Sequence, residues 1–573
     1  MYLYNNVVQR LEETLKRITK EDSIQLSIPK GLDHGDITSN IAMRLASQYK
    51  KNPLEVAKEI VADFTDKDKE LLDSIDVEAP GFINFRLSKD AVVSEFNDLD
   101  DTYGSGQLDA QKVVIEYSSP NTNKPLHVGH LRNNVLGMSM AAIFEFLGFD
   151  VVKTEVVNDR GVHIMKSVLA YKYWGGDETP ESTGLKGDAF VAKYYVLFGQ
   201  KAKEKPELLD EAQDMLKAWE DGDAEVRKLW NTMNSWVYEG WQETYKRYGS
   251  EFDVKYYESD LYDKGKEIIL DAEDEGLVYK NKKGAYVIDL SEEGLGGRES
   301  GEKVLLREDE TTVYMTQDIY LAEKRYNDFS YDKMVYVVGE EQKYHFSVLF
   351  TILKKLKREW VGRMEHYWYA HVLLPEGRMK SREGTVVDGD DFLAKVKELT
   401  LAEVMNRKFV QENTEIDQIA ESLCLSAIKY FFLKNNPKTT ITFDPKKAID
   451  FEGNTGPYLL YTYVRLGSIL DTYKGDKSKE FSSDMVGDQE YEIMRKVIMW
   501  PRVIRDFVEH EQHNIIAEYI YQLSQLLNSY YHSTSVGKSD DKIKPMRLHF
   551  VAQSQEILGL GLSLLQMPTI NKM

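Results

Sequence analysis

The stretch EYSSPNTNKPLHVGHLRNNVLGMSMAAIFEFLG, residues 116–148, decides how the chain is read. Val113, Val114 and Ile115 ahead of it are β-formers, so Glu116 closes a strand. Pro120 and Pro125 punctuate a loop. After HVGH, apolar residues recur at Leu131, Val135, Leu136, Ile143, Phe146 and Leu147, a helical spacing closed by Gly148. Strand, loop and helix N-terminus together suit an anion, because free backbone N–H groups and the helix dipole both favour phosphate there. His127 and His130 stand where that phosphate would lie, and Gly129 lets a nucleotide approach the backbone.

Two histidines three residues apart can equally be a metal half-site or two surface residues. Cys424 is the only cysteine, which excludes a cysteine-ligated zinc site, and the chain has no HExxH. No metal ligand is therefore assigned. The full string is more specific than the pair. It resembles the HIGH signature of class I aminoacyl-tRNA synthetases, and SSPNTNKPLHVGHLR resembles the arginyl-tRNA synthetase form, in which an Asn and a Lys precede the signature.

The chain has 573 residues, enough for several domains. The opening MYLYNNVVQRLEETLKRITK reads as an amphipathic helix rather than a signal peptide, and no run is long enough to span a membrane. With a single cysteine, these features point to the cytoplasm. The net charge of −22 argues against general nucleic-acid affinity. It leaves room for RNA on a local basic face, with weak non-specific binding and marked salt sensitivity.

Residues 1–110 read as two helical stretches followed by short strands. Asn52-Pro53 separates two helices, and VEAPGFINFRL is strand-like with a turn at Pro80-Gly81. No acid–base constellation occurs here. GDITSN and PGFINF resemble the extra N-terminal domain of arginyl-tRNA synthetases, which implies docking on the tRNA elbow, with Phe82 and Asn84 at positions that contact an unstacked base. Phe82 as ordinary core is the alternative. Ala79 stands where the family pattern can carry a further polar contact. DLDDTYGSGQLDAQ reads as a polar linker.

From 111 to 400, strand-like runs (VVIEYS, DVVKTEVVN, KMVYVVGE, MEHYWYAHVLL) alternate with helical patterns. That alternation predicts an α/β, Rossmann-type parallel sheet with ligands at the carboxyl ends of its strands. NDRGVHI should lie near the HVGH loop, with Asp159 and Arg160 paired to each other. Residues 175–260 read as a helical insertion in which Trp230, Trp236 and Trp241 fit core packing better than an RNA-stacking platform. In TTVYMTQDIYLAEKRY a strand is expected to end near Met315 and Asp318 to open a helix, where it can serve as an N-cap.

The resemblance implies more for these residues. Tyr314 and Asp318 would bind the arginine side chain, with Glu116 as a second acid. A pocket for a planar, permanently charged guanidinium needs carboxylates and acceptors in a fixed arrangement. Asn121 and Gln342 match positions that hold the substrate's amino and carboxylate ends. His345 would lie near ATP, or pack in the core. HVLLPEGRMKSREGTVV resembles the KMSKS loop that clamps the leaving pyrophosphate. Here Arg378 replaces the first Lys, Lys380 the first Ser, Ser381 the second Lys and Arg382 the second Ser, and Met379 is placed with ATP. Arginyl enzymes often lack the second lysine, and Lys124, just before the HIGH string, occupies the place of the compensating one. Catalytic roles thus fall to Lys124, His127, His130, Arg378, Lys380 and Arg382, and ATP contacts to His127, Gly129, His130, His345 and Met379.

From 401 to 573 the pattern is helical, with a polar gap at KGDKSKEFSSD and Pro457 just inside a helix start. The resemblance implies an all-α anticodon-binding domain that follows an α+β N-terminal domain and the catalytic sheet. Tyr458, Tyr461, Arg465 and the closing Met573 would touch tRNA. Leu460 replaces a common glutamine, and Tyr461 as helix core is the alternative.

The resemblance implies ATP-dependent ligation of L-arginine to tRNA(Arg) through arginyl-adenylate, with Mg2+ carried by ATP, in a monomer. Rival readings are a synthetase for another amino acid, a nucleotidylyltransferase sharing HxGH, and a catalytically dead paralogue that binds RNA or a protein.

Overall fold

The computed structural model describes residues 2–29, 34–295, 301–375, 377–378, 387–407, 413–473 and 481–573, with the side chains of 377, 378, 413 and 414 outside the description. By chain contacts, residues 1–107, 409–415 and 450–573 form one unit, and residues 108–408 and 416–449 a second.

In the first unit, β1 (Leu26–Ser27), β2 (Ile37–Ser39), β3 (Leu72–Glu78) and β4 (Phe82–Leu87) form an antiparallel sheet in the order β1-β2-β4-β3. Ile83, Phe85 and Leu87 alternate inward along β4 and are fully buried. The Pro53–Ala62 helix starts where the sequence predicts, since the Asn52 side chain accepts from the Leu54 N–H at 2.9 Å and Pro53 needs no partner for its nitrogen. The expected order of helices before strands is only partly met, because β1 and β2 precede the two middle helices. The expected linker is not wholly polar either: Tyr103 is buried and donates to Glu95 at 3.0 Å. Five long helices (Gly456–Thr472, Asp488–Ile498, Trp500–His510, His513–Ser533 and Lys544–Leu564) complete the unit. The buried Asp36 carboxylate meets Arg495 at 2.6 Å and accepts from the Leu87 N–H at 2.8 Å.

The second unit holds a fully parallel sheet of β5 (Lys112–Glu116), β6 (Asp150–Val157), β7 (Val254–Tyr257), β11 (Lys333–Gly339) and β12 (Met364–Tyr369), in the order β12-β11-β5-β6-β7. Successive strands depart from β5 in opposite directions, so the crevice between β5 and β11 is the topological switch point where such sheets bind ligands. Smaller sheets comprise β8 (Tyr279–Lys280), β9 (Tyr286–Asp289) and β10 (Glu302–Leu306), then β13 (Val372–Leu374), β14 (Gly377–Arg378) and β15 (Ile441–Thr442). Val114, Met334 and Tyr336 of the parallel sheet pack on Ile319, Val348 and Ile352 from two covering helices.

Several expectations need correction. The helical insertion ends at Tyr248, because Val254–Tyr257 is the sheet's edge strand. Trp241 is buried and Trp230 and Trp236 pack against the same cluster, as core packing predicts. The helix holding Asp318 starts at Tyr314, and the strand before it ends at Leu306, so Asp318 lies in the second turn and is no N-cap. Residues 416–449 cluster with the parallel sheet, which puts the unit boundary near 450 rather than 401. Helical periodicity reports that a segment is helical but not which core its apolar face covers.

Candidate active site

The HVGH loop follows β5 and turns directly into the Val128–Phe146 helix. His127 is the N-cap, with extended backbone. Its main-chain N–H donates to His130 Nδ1 at 3.1 Å, and the His130 N–H donates back to His127 Nδ1 at 3.3 Å. The rings stack with centroids 3.7 Å apart. Both Nδ1 atoms therefore accept, so both protons sit on Nε2. Burial, with Lys124 adding repulsion, pushes His127 down to about 4, and burial and His127 push His130 well below the ordinary range. The pair is neutral at physiological pH and offers two Nε2–H donors.

This corrects the expected anion site. The N–H groups of His127 and His130 bond to the rings, and that of Val128 donates to the Val387 carbonyl at 3.4 Å. The imidazoles, not these amides, present the donors. Gly129 has a second reason to be glycine: an added Cβ would lie 2.9 Å from His127 Cε1, inside the ring's space. Lys124 is half-buried, and burial lowers its pKa. Trp241 Nε1 donates to its carbonyl at 3.3 Å.

The SSPN turn is strained. Ser118 (φ 71°) and Ser119 (φ 51°) are both left-handed, at a cost of roughly 1–3 kcal/mol each. Asn133, one turn into the helix, holds them: its Oδ1 accepts from the Ser118 N–H at 2.5 Å, while its Nδ2 donates to the Val337 carbonyl at 2.6 Å. Ser118 Oγ also meets the Tyr245 hydroxyl at 2.7 Å, and that hydroxyl donates to buried Glu155. Next to Asn133, buried Arg132 donates to the Ala370 carbonyl at 2.5 Å and the Pro437 carbonyl at 3.1 Å. Asn133, Arg132 and Tyr245 escaped sequence reasoning because their partners are distant in the chain.

The residues expected to bind arginine come from β5, the turn after it, the Tyr314–Phe329 helix and the turn after β11. Tyr314 is 65% exposed, and Asp318 is one helical turn further on. Asp318 Oδ2 meets His345 Nε2 at 2.7 Å, so the histidine expected near ATP touches the carboxylate expected to bind arginine. Glu116 is 7% exposed and pairs with Arg325. Asn121 and Gln342 are exposed, Asn121 bridging to Asn158 at the ends of β5 and β6 and Gln342 closing the turn after β11.

Asp159 and Arg160 do not pair. Asp159 accepts from the Ser259 N–H and Oγ at 2.8 Å and from the Tyr238 hydroxyl at 3.0 Å, while Arg160 pairs with Glu220. A further acid emerges at the carboxyl end of β7. Glu258 is 8% exposed, and among the described residues its Oε1 has no hydrogen-bond partner. Burial pushes it up to about 7, with Arg160 opposing and Asp159 and Asp318 adding to the shift. Nothing in YESDLY signals this in the sequence.

For the KMSKS-like loop, Arg378 pairs through its backbone with Leu373. Its side chain, and Met379, Lys380, Ser381 and Arg382, lie outside the described residues. Further along the chain, Asp388 bridges to His127, and the Gly389 N–H donates to the Leu126 carbonyl at 2.8 Å. Among the described residues, no group of three or more His, Cys, Asp or Glu side chains is arranged to hold a metal ion.

In the first unit, Phe82 is half-buried on β4, and Asn84, on the same face, accepts from Thr38 Oγ1 at 2.7 Å and donates to Glu78 at 3.0 Å. Tyr458, Tyr461 and Arg465 share the Gly456–Thr472 helix. The Arg465 guanidinium sits 4.3 Å from the Tyr461 ring centroid and 4.8 Å from that of Tyr531. Met573 is half-buried at the end of the chain.

Three family models match the chain. "tRNA synthetases class I (R), catalytic domain" matches residues 96–444, "DALR anticodon binding domain" residues 459–573, and "Arginyl tRNA synthetase N terminal domain" residues 5–87. A protein of Bacteroides thetaiotaomicron named arginine–tRNA ligase is 38% identical over all of this chain and 99% of its own length. One of Flavobacterium psychrophilum with the same name is 41% identical over 85% of this chain and 84% of its own. The arginyl-tRNA synthetase structure of Thermus thermophilus superposes with a TM-score of 0.83 at 23% identity, covering 99% of this chain and all of that one, which supports the fold.

Proposed function

The chain belongs to the class I arginyl-tRNA synthetases and is an arginine–tRNA ligase that uses ATP, and from this premise we propose how its residues divide the work. The paired Nε2–H donors of His127 and His130 at the switch point are the observation that carries the proposal. ATP lies across the HVGH turn with its phosphates against these donors. The arginine carboxylate attacks the α-phosphate, and pyrophosphate leaves. The terminal ribose hydroxyl of tRNA(Arg) then attacks the arginyl-adenylate, releasing AMP. Neither step needs a nucleophile from the enzyme, so the site acts by positioning and by meeting charge as it develops.

The two neutral imidazoles donate their Nε2–H groups to the α-phosphate region. Lys124, whose side chain has no hydrogen bond or ion pair with a described residue, supplies the positive charge for the leaving group, together with the loop that carries Arg378, Met379, Lys380 and Arg382. Gly129 keeps His127 in place. Glu116, Tyr314 and Asp318 take the guanidinium, and Asn121 and Gln342 the amino-acid head. Mg2+ would arrive on ATP, held by phosphate oxygens and water rather than a protein cage. Phe82 and Asn84 face the tRNA elbow, and Tyr458, Tyr461, Arg465 and Met573 the anticodon region. The enzyme works as a monomer in the cytoplasm. Among the described residues no helix is long and apolar enough to cross a membrane.

The test is amino-acid-dependent ATP–pyrophosphate exchange across all twenty amino acids, with and without total tRNA. Exchange with arginine alone, requiring tRNA, is expected. Exchange with another amino acid would overturn the pocket assignment. A lack of exchange under every condition would favour the non-catalytic paralogue.

A further inference from the structure

Glu116 and Arg325 form an ion pair beneath the SSPN turn, with side chains 9% and 1% exposed. Arg325 lies seven residues beyond Asp318 on one helix, two turns along the same face. Its guanidinium is flanked by Tyr256 of β7 and Tyr336 of β11, with ring centroids at 5.1 and 5.4 Å. The nearby titratable groups are thus these two tyrosines and, toward the pocket, Asp318, which acts on Tyr336. Among the described residues neither Arg325 Nε nor Nη2 has an acceptor in good hydrogen-bond geometry, so the guanidinium is held by the charge of Glu116 and by its contact with Tyr336.

A carboxylate has two oxygens and about four acceptor sites. Oε2 of Glu116 is engaged by Arg325. Oε1 accepts from Ser119 Oγ at 3.3 Å, long for an O–H···O bond, and retains acceptor capacity. A guanidinium is a rigid planar fork, so it fixes the plane of its carboxylate partner in a way that an ammonium does not. Burial makes the pairing consequential, since removing one member leaves the other charged and unpaired.

We propose that Arg325 is the positioning residue of the amino-acid pocket: it grips Oε2 of Glu116 so that Oε1 is presented, in a fixed plane, to the guanidinium of the substrate. This rests on the placement of Glu116 in that pocket. The reaction thereby reads a guanidinium through a carboxylate already oriented by a second guanidinium, and an ammonium-bearing amino acid gains little from that plane.

The experiment is steady-state ATP–pyrophosphate exchange with tRNA present throughout, on wild type, R325M, R325K, E116Q and the double variant E116Q/R325M, each checked by thermal melting. R325M should raise the KM for arginine about tenfold or more while the KM for ATP stays within about twofold, and R325K should fall between R325M and wild type. E116Q should raise the arginine KM, and adding R325M to it should raise it little further, because the two act as a unit. An unchanged arginine KM in R325M beside a raised one in E116Q overturns the positioning role. A parallel loss for arginine and ATP reduces Arg325 to a structural part and overturns it as well. An unchanged KM in E116Q overturns the pocket placement of Glu116 itself. If R325M does not fold, R325K and the double variant carry the same comparison.

Discussion

The main-chain N–H of His127 donates to the ring of His130, and the N–H of His130 donates to the ring of His127. Each ring fixes the other's backbone, and each backbone fixes the tautomer of the other's ring. A histidine pair of this kind is a helix cap that leaves both Nε2–H groups free to act as the phosphate donors proposed above. The spacing that suggests a metal half-site is here the spacing of a reciprocal cap.

The cap and the donor can be separated by substitution. His127→Ala removes both, and should cost about 1 kcal/mol of stability from the lost cap as well as roughly 100-fold or more in exchange rate. His127→Asn keeps a capping oxygen and an N–H, and should recover most of the stability. Thermal melts and exchange assays on both variants check this, and equal melting losses would rule out the cap.

Asp318→Ala should raise the arginine requirement by about 100-fold, on the order of 3 kcal/mol, because a guanidinium loses a charged partner in a partly desolvated pocket. The KM for ATP should hardly change. Because His345 bonds to Asp318 at 2.7 Å, His345→Ala should also act on the KM for arginine more than on that for ATP. The opposite ranking would return His345 to the nucleotide.

Lys124→Ala should slow adenylate formation without weakening arginine binding to the same degree. Single-turnover formation of arginyl-adenylate separates the two. A variant that binds arginine poorly but reacts at the normal rate once loaded would leave Lys124 as a packing residue.

Glu258 gives a pH signature. Its ordinary carboxyl pKa is 4.5, and burial pushes it up to about 7 in the fold. Between those values the folded protein holds a proton that the unfolded chain has lost, so stability falls as pH rises through that window, by on the order of 3 kcal/mol in the absence of arginine. E258Q should be more stable than wild type at pH 8 and similar near pH 5. With arginine present, the wild-type KM should fall from pH 6 to pH 8 as the carboxylate ionises, while that of E258Q should not. Melts and exchange kinetics at these pH values decide the matter, and a difference independent of pH would dismiss Glu258 as a pocket acid.

Much of the molecule was legible beforehand because its signals are local. Val113 to Ile115 specify a strand, HVGH and the apolar spacing after it specify a helix start, and Asn52-Pro53 specifies a break. Asp318 was misread as a helix opener because Thr311, Thr312 and Val313 favour a strand, while the helix N-terminus is set three-dimensionally, with Thr316 Oγ1 accepting from the Val313 N–H at 3.2 Å. Asp159 and Arg160 looked like partners because they are adjacent, yet neighbours in a tight turn point apart, and each found its partner far along the chain.

By itself the sequence determined the class of sheet, the place of the HVGH loop and, through a resemblance carried by several motifs along nearly the whole chain, the reaction. Those features depend on residues within one turn or one strand of each other. The tertiary structure alone decided the states of the groups: which atoms of His127 and His130 carry protons, that Glu116 already has Arg325 for a partner, that Asn133 holds the strained serines, and that Glu258 lies buried at the edge of the site. The histidine cap and the Asn133 contact are short in sequence but depend on atomic geometry, while the burial of Glu258 and the Glu116–Arg325 pair arise from segments brought together across a hundred residues or more, and no pattern of residue types in the chain encodes them.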